Sequence, residues 1–429
     1  MSVFALVDCN NFYASCEKLF NPKLRDIPVV VLSNNDGCVV ARSAEAKALG
    51  IPMGAPWFKL KDEARRHGIV ACSSNYELYS DMSNRCVEVL SAFTPNLEVY
   101  SIDESFLDLS GFERVGYQAY GQQIRQRVAA WLGLAVCVGI GPTKTLAKLA
   151  NHCAKKELAG AEGVCDLTAM TAPDLTALFS RIDVSEVWGV GRKLSARLAD
   201  MGIETVQQLY AADAETIRAR FSVVLERTVR ELRGVSCLSL EEIVPDKQQI
   251  MSSRSFGTLI YDLAELEEAV ATYISRAAEK LRNQGSLAGA VQVYIRTNVF
   301  KPEVPQYQRC IAIPLPEATS DTRVLTQWAL RVLKRIYRPG FGYHKAGITL
   351  LNLTQTANQQ FSLLSGEGGA GDVQSRQLMG ALDAINARYG RGTLRLAAEG
   401  IEKSWKMRRG NLSPGYTTDW HGLPVVRAK

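Results

Sequence analysis

Three absences narrow this 429-residue chain before any motif does: no CxxC pair among ten cysteines, only four histidines, and no apolar run of the roughly 18 residues a membrane span needs. The first two exclude a zinc-organised fold. At this length a core needs no disulfides, so the cysteines read as reduced, mostly buried thiols. The third excludes helical membrane spans, and Asp8 breaks the apolar start too early for a secretory leader. A cytoplasmic protein of about three domains is expected, with no membrane partner. Its apolar fraction of 47% and charged fraction of 22% suit globular folding.

Carboxylates stand where histidine and cysteine are missing. The run Val3 to Val7 leads directly into Asp8, and a second apolar run, Leu97 to Ile102, empties into Asp103 and Glu104. Acids at strand ends, with no nitrogen or sulfur donor beside them, suit a hard cation such as Mg²⁺ held against phosphate. Strand-like runs at 3–7, 98–102, 106–109 and 134–140 alternate with helical patterns at 11–19 and 117–131. That order predicts a split βαββαβ unit, whose first and third strands are neighbours. Asp8 is therefore expected beside the hairpin that carries Asp103 and Glu104.

The insertion within this unit holds Val29–Leu32, an Asn34-Asn-Asp-Gly37 turn, Cys38-Val-Val40 and a helix from Ser43 to Leu49, and it ends near Asn75. Residues from 172 to 240 read as helical. Within them Val187-Trp-Gly-Val-Gly-Arg-Lys-Leu194 predicts a helix-hairpin-helix. Its turn, with Gly189 and Gly191, aims backbone N–H groups at a phosphate, with Arg192 and Lys193 nearby. The βαββαβ order returns from Met251 to Asn352. There Gln292, Tyr294 and Arg296 alternate with apolar residues and give one polar, cationic face, while Pro302, Pro305, Pro314, Pro316 and Pro339 read as loop punctuation. Ser365 to Gly371 has linker composition, and a helix from Val373 to Tyr389 precedes a basic, aromatic-bearing end.

Charge divides along the same line. Residues 1–244 carry 26 Lys and Arg against 29 Asp and Glu, whereas 245–429 carry 24 against 15. A basic part beside an acidic part fits a chain that grips a polyanion with one and does metal chemistry with the other. On charge alone, a merely solvated basic surface remains an equal reading.

Three segments together resemble the Y-family translesion DNA polymerases: Asp8-Cys-Asn-Asn-Phe-Tyr-Ala-Ser-Cys-Glu17, Tyr100-Ser-Ile-Asp-Glu-Ser-Phe106 and Val138-Gly-Ile-Gly-Pro-Thr-Lys-Thr-Leu-Ala-Lys-Leu-Ala150. The likeness is nearest to the UmuC-type catalytic subunit of bacterial DNA polymerase V, through Ser33-Asn-Asn-Asp-Gly-Cys38, Ser73-Ser-Asn-Tyr-Glu-Leu78 and Leu412-Ser-Pro-Gly-Tyr-Thr-Thr418. It spans nearly the whole chain.

The resemblance implies a multidomain α/β (α+β) right-hand fold. The ferredoxin-like palm would be 1–20 with 76–171, the fingers 21–75, the helical thumb 172–244, the little finger 245–355 and a partner-binding tail 356–429. It implies that Asp8, Asp103, Glu104 and the Cys9 backbone carbonyl hold two Mg²⁺ ions. The activity implied is error-prone, template-directed transfer of dNMP to a primer 3′-hydroxyl in SOS mutagenesis. Tyr13 would be the steric gate against a ribose 2′-hydroxyl, with Phe12 its packed neighbour. Ser43, Lys47 and Lys155 are candidates to grip the dNTP. The wider family has Tyr and Arg where this chain has Ala44 and Lys47, so the bidentate guanidinium fork is lost there.

Gln360, Phe361, Leu363 and Leu364 resemble a docking peptide for the sliding clamp. The other implied partners are primer-template DNA, a processed accessory-subunit dimer and a recombinase filament, with a place on the bacterial nucleoid when DNA is bound. Competing readings are a stand-alone lesion-bypass polymerase, a nucleotidyl cyclase and a non-catalytic DNA-binding adaptor.

Overall fold

The computed structural model describes residues 2–241, 245–356 and 370–420. These fall into two compact units, the first from 2–33, 37–241 and 411–420, the second from 34–36, 245–356 and 370–410.

In the first unit, β1 (Phe4–Cys9) is buried along its whole length, as a strand covered on both faces must be. Asn11, left-handed at φ 52°, turns the chain into α1 (Phe12–Phe20). The insertion folds as β2 (Val29–Leu32), β3 (Val39–Arg42), α2 (Ala44–Ala48), α3 (Trp57–His67) and β4 (Val70–Ser73). Its sheet has the order β3-β2-β4 and its own core around Val30, Leu32, Val39 and Ile51.

The chain then returns through α4 (Tyr76–Ser91), β5 (Leu97–Val99), β6 (Glu104–Asp108), α5 (Tyr117–Leu132), β7 (Val136–Gly141), α6 (Lys144–Lys155) and β8 (Val164–Asp166). The resulting five-stranded sheet has the order β5-β6-β1-β7-β8, so β1 does lie against β6, the third strand of the expected unit. The fifth strand, β8, was not legible because three residues carry no periodicity. Beyond it, α7 (Ala172–Phe179), α8 (Arg192–Ala199), α9 (Val206–Ala211), α10 (Ala214–Arg220) and α11 (Val223–Leu232) share a core with Leu149, Ala150 and Cys153 of α6.

How closely α6 lies on the sheet depends on one glycine. A Cβ at Gly139 would sit 2.0 Å from the Asn151 backbone nitrogen and 2.3 Å from the Ala147 carbonyl oxygen. Backbone atoms cannot swing aside, so Gly139→Ala must push α6 off β7, at an expected cost of about 3 kcal/mol. Chemical denaturation of the variant checks this, and a midpoint equal to that of the parent would refute it.

The second unit contains β9 (Ile250–Ile260), α12 (Leu263–Asn283), β10 (Ser286–Arg296), β11 (Gln308–Thr319), α13 (Thr322–Ile336) and β12 (Tyr343–Gln355), followed by α14 (Ala370–Tyr389). Its antiparallel sheet has the order β11-β10-β12-β9 and packs with α12 and α13 in one core, which is the second βαββαβ arrangement. Pro314 and Pro316, read from the sequence as loop residues, lie within β11 instead. As the edge strand, β11 can turn a missing N–H outward without breaking a ladder, and the register shifts between Ala288 and Ala290 opposite this stretch. Among the described residues no helix is long and apolar enough to cross a membrane.

Candidate active site

Strand pairing assembles the acids. In the β1–β6 register Asp8 faces Glu104, and the Cys9 amide donates to the Asp103 carbonyl at 2.9 Å. The Ser101 hydroxyl accepts from the amides of Asp103 and Glu104 at 3.3 and 3.1 Å and donates to the Asp103 carboxylate at 2.6 Å. That one side chain fixes the hairpin on which both acids ride.

Helix α6 supplies the opposite charge. Lys148 and Lys155, seven residues apart, lie on one helical face. Lys155 Nζ is 2.5 Å from Asp8 Oδ2, and Lys148 Nζ reaches both Glu104 oxygens at 2.9 and 2.8 Å. The Lys148 ammonium also lies over the Tyr100 and Trp188 rings, at 4.6 and 5.7 Å, and Trp188 Nε1 donates to the Tyr100 hydroxyl at 3.1 Å. Lys155, a candidate for the triphosphate, also meets Asp8, and Lys148 has no counterpart among the residues the sequence marks as candidates. The spacing of four and seven among Lys144, Lys148 and Lys155 was the signal that could have found it.

Asp8 is 6% exposed. Burial pushes its carboxyl up to about 6; Lys155 pulls the value down, and Glu104 and Asp103 push it up. Two of the three carboxylates are thus paired with ammonium groups, and Asp103 accepts from Ser101 instead. Among the described residues no three acidic, imidazole or thiol side chains already surround a common point; Lys148 and Lys155 hold oxygens of Glu104 and Asp8. The donor set still fits a hard divalent cation: it is all oxygen, carries excess negative charge and has no nitrogen or sulfur ligand. Cys9 turns its thiol the other way, 3.6 Å from Cys86 Sγ, so only its backbone can serve this site.

Lys47 is exposed at the end of α2. Its ammonium is pushed below the usual lysine range by burial and then by Arg42, Lys155 and Lys156, with Asp8 opposing. Three cations therefore bear on the charge of Lys47, a condition a polyphosphate would relieve. Arg42 and Lys156 were not foreseen. Arg42 gives Nη1 to the Ile51 carbonyl, and its Nε is buried without a partner. Ser43 is 3% exposed and caps α2; its oxygen accepts from the amides of Val29 and Ala46, and its hydroxyl donates to the Glu45 carboxylate, which leaves it nothing to offer a phosphate without rearrangement.

Tyr13 opens α1 and is half-buried. Its ring stacks on Tyr79 at 4.4 Å and 14°, meets Tyr76 edge-on at 6.3 Å, and has buried Phe12 at 5.9 Å. Tyr79, the platform under Tyr13, was invisible in the sequence pattern. Its hydroxyl donates to Glu17 at 2.5 Å.

In the glycine-rich hairpin, Gly189 has φ +87°, a conformation that favours glycine, and Gly191 is the N-cap of α8 without a side-chain cap. Arg192 and Lys193 are exposed at that helix start. A single 3₁₀ turn, Val184–Glu186, enters the hairpin where a full helix was expected. Asp183 caps that turn and Val187 is already extended, which leaves no room for more. In the second unit Arg296 faces Lys345 across the strands; burial holds the half-buried His344 imidazole below the usual range, with the charges of Arg296, Lys345 and Lys301 adding to it. Gln360, Phe361, Leu363 and Leu364 lie outside the described residues.

With this geometry in hand, comparison with known proteins defines the class. The fold is that of Y-family DNA polymerases, with palm, fingers, thumb and little finger. A solved Y-family chimera of Dbh and Dpo4 superposes with a TM-score of 0.62 at 19% identity over 82% of this chain and 99% of its own. The insertion ternary complex of Dbh DNA polymerase gives 0.53 at 20% over the same shares.

Residues 7–152 match the impB/mucB/samB family, residues 247–363 its C-terminal domain, and residues 376–426 a domain of unknown function, DUF4113. Protein UmuC of Salmonella typhimurium is 46% identical over 99% of this chain and all of its own length, and Protein SamB of the same organism is 46% identical over the same shares. DNA polymerase IV of Caulobacter vibrioides is 27% identical over 90% of this chain and 91% of its own. The chain belongs to the impB/mucB/samB family of error-prone translesion DNA polymerases, which act in SOS mutagenesis. Membership implies primer-template DNA and dNTP as substrates and dependence on a divalent cation.

Proposed function

We propose that this chain adds dNMP to a primer 3′-hydroxyl opposite damaged template, with Asp8, Asp103, Glu104 and the Cys9 carbonyl holding two Mg²⁺ ions. The observation that carries the reading is the cross-strand pairing of Asp8 with Glu104, within electrostatic reach of the cations on α2 and α6. When bound, the ions supply the charge that activates the hydroxyl and steadies the triphosphate.

The chain's own side chains do the rest. Lys148 and Lys155 neutralise the acids before substrate arrives. The aromatic faces of Tyr100 and Trp188 then retain Lys148 and so keep Glu104 oriented. Arg42, Lys47, Lys155 and Lys156 receive the triphosphate, whose charge relieves the repulsion the other three exert on Lys47. Phe12 backs Tyr13, and the Tyr13 ring fills the space a ribose 2′-hydroxyl needs.

Palm, fingers, thumb, little finger and tail take the boundaries 1–20 with 76–171, 21–75, 172–244, 245–355 and 356–429. Gly189, Gly191, Arg192 and Lys193 grip DNA phosphates, as does Arg296 with Lys301 and Lys345, without reading sequence. Residues 360–364 dock on the sliding clamp, and the tail meets the accessory dimer and recombinase filament at the nucleoid. The resemblance of the motifs supports these last assignments.

Primer extension across a defined abasic site tests the reading. Extension should require Mg²⁺, stop with chelator and rise when accessory dimer and filament are added. Silence under every combination on primed DNA would end it.

A further inference from the structure

The end of the described chain returns to the first unit and packs against the support of Tyr13. Asn411 pairs with the end of β4: its carbonyl accepts from the Ser73 amide at 2.8 Å, and its amide donates to the Ser73 hydroxyl at 3.0 Å. The Asn75 side-chain amide donates to the Ser413 carbonyl, the Ser413 hydroxyl and the Pro414 carbonyl at 3.3, 2.9 and 3.2 Å. Its oxygen meanwhile caps α4 by accepting from Leu78. Asn75 thus holds the tail with one end and the helix of Tyr76 and Tyr79 with the other. Tyr416 stacks on Phe20, the last residue of α1, at 5.1 Å and 12°.

Glu17 joins these pieces. It lies one turn after Tyr13 on α1 and is only 1% exposed, a placement that demands hydrogen-bond donors. One carboxylate oxygen receives two, the Tyr79 hydroxyl at 2.5 Å and the Ser413 hydroxyl at 3.1 Å. Tyr79 in turn carries the Tyr13 ring. A continuous path of contacts therefore runs from Ser413 through Glu17 and Tyr79 to Tyr13, closed on the other side by Tyr416 on Phe20.

We propose that residues 411–416, in the stretch matching only a domain of unknown function, are a positioning element for sugar selection, acting through Glu17 and Tyr79 on Tyr13. The inference rests on Tyr13 being the steric gate. Removing Ser413 leaves the buried Glu17 carboxylate with one donor fewer, so water or a shifted Tyr79 must satisfy it, and the platform under the gate loosens. Removing the whole segment also uncovers Phe20 at the end of α1 and leaves the Asn75 side-chain amide at the start of α4 without these acceptors.

The test compares single-nucleotide insertion of dNTP and rNTP by four proteins: the full chain, Ser413→Ala, Tyr416→Ala and a chain ending at Gly410. Each is made with Tyr13 and again with Tyr13→Ala, and each is melted. Selectivity, the ratio of kcat/KM for the two sugars, should fall about fivefold in each single variant and about tenfold in the shortened chain. None should lower it further once Tyr13 is Ala, because the effect passes through that ring.

Unchanged selectivity would overturn the proposal. So would an equal loss on both sugars in step with a lower melting temperature, or the same drop without the Tyr13 ring. Should the shortened chain fail to fold, the two single substitutions decide. If Tyr13→Ala alone leaves selectivity intact, the gate assignment fails and this inference with it. If Tyr13→Ala relaxes selectivity while the tail variants do not, only the tail inference fails.

Discussion

The Asp103→Asn, Glu104→Gln double variant will lose primer extension by roughly 10³-fold or more, while its fold and its DNA binding remain. Both replacements keep shape and remove charge, so Asp8 is left as the one anionic donor of the three for a divalent cation. The stability cost is small because the Glu104–Lys148 pair is partly exposed, at 17% and 25%, and such pairs contribute about 1 kcal/mol or less. Lys148 keeps its place over Tyr100 and Trp188, so α6 has no reason to move. Extension, gel shift and thermal melting on one preparation separate these effects. Parent-level extension by the double variant would remove the acids from the chemistry and the polymerase mechanism with them.

Tyr13→Ala should relax discrimination against ribonucleotides by about 10²-fold, with dNTP insertion still measurable. The argument is steric: the ring is held flat on Tyr79 and edge-on to Tyr76, so it cannot swing away from a 2′-hydroxyl, and alanine leaves that volume open. Tyr13→Phe is the control. It retains the ring and should retain discrimination, because the exclusion is by volume and not by the phenol. Competition between rNTP and dNTP at one template position measures both, and an unaltered ratio in the alanine variant would show that Tyr13 is an ordinary packed aromatic.

Much of the fold was open to reading because its signals are local. The apolar run into Asp8 marks β1, and the βαββαβ order places the first strand against the third; the run read as a strand to Ile102 stops at Val99, so Asp103 lies in the hairpin turn and Glu104 opens β6. The site was less legible where it depends on which of several plausible partners a side chain takes. Lys155 could be placed near a triphosphate from its charge and its position at the end of α6; the sheet packing of α6, permitted by Gly139, adds its contact with Asp8, which no sequence signal carries. Pro314 and Pro316 carried a loop signal, and only the place of β11 at the sheet edge makes a strand tolerable there.

From the order of its residues alone, this chain determines its periodic strands and helices, its three acids beside apolar runs and its glycine-rich hairpin, since each needs only neighbours in sequence. Tertiary folding decided what those elements meet: Lys148 between Glu104 and two aromatic rings, Tyr79 beneath Tyr13, and Ser413 on Glu17 across almost the whole chain. Such contacts have no period and no spacing. They exist only once burial has removed water from the carboxylates and left each of them a single set of donors within reach.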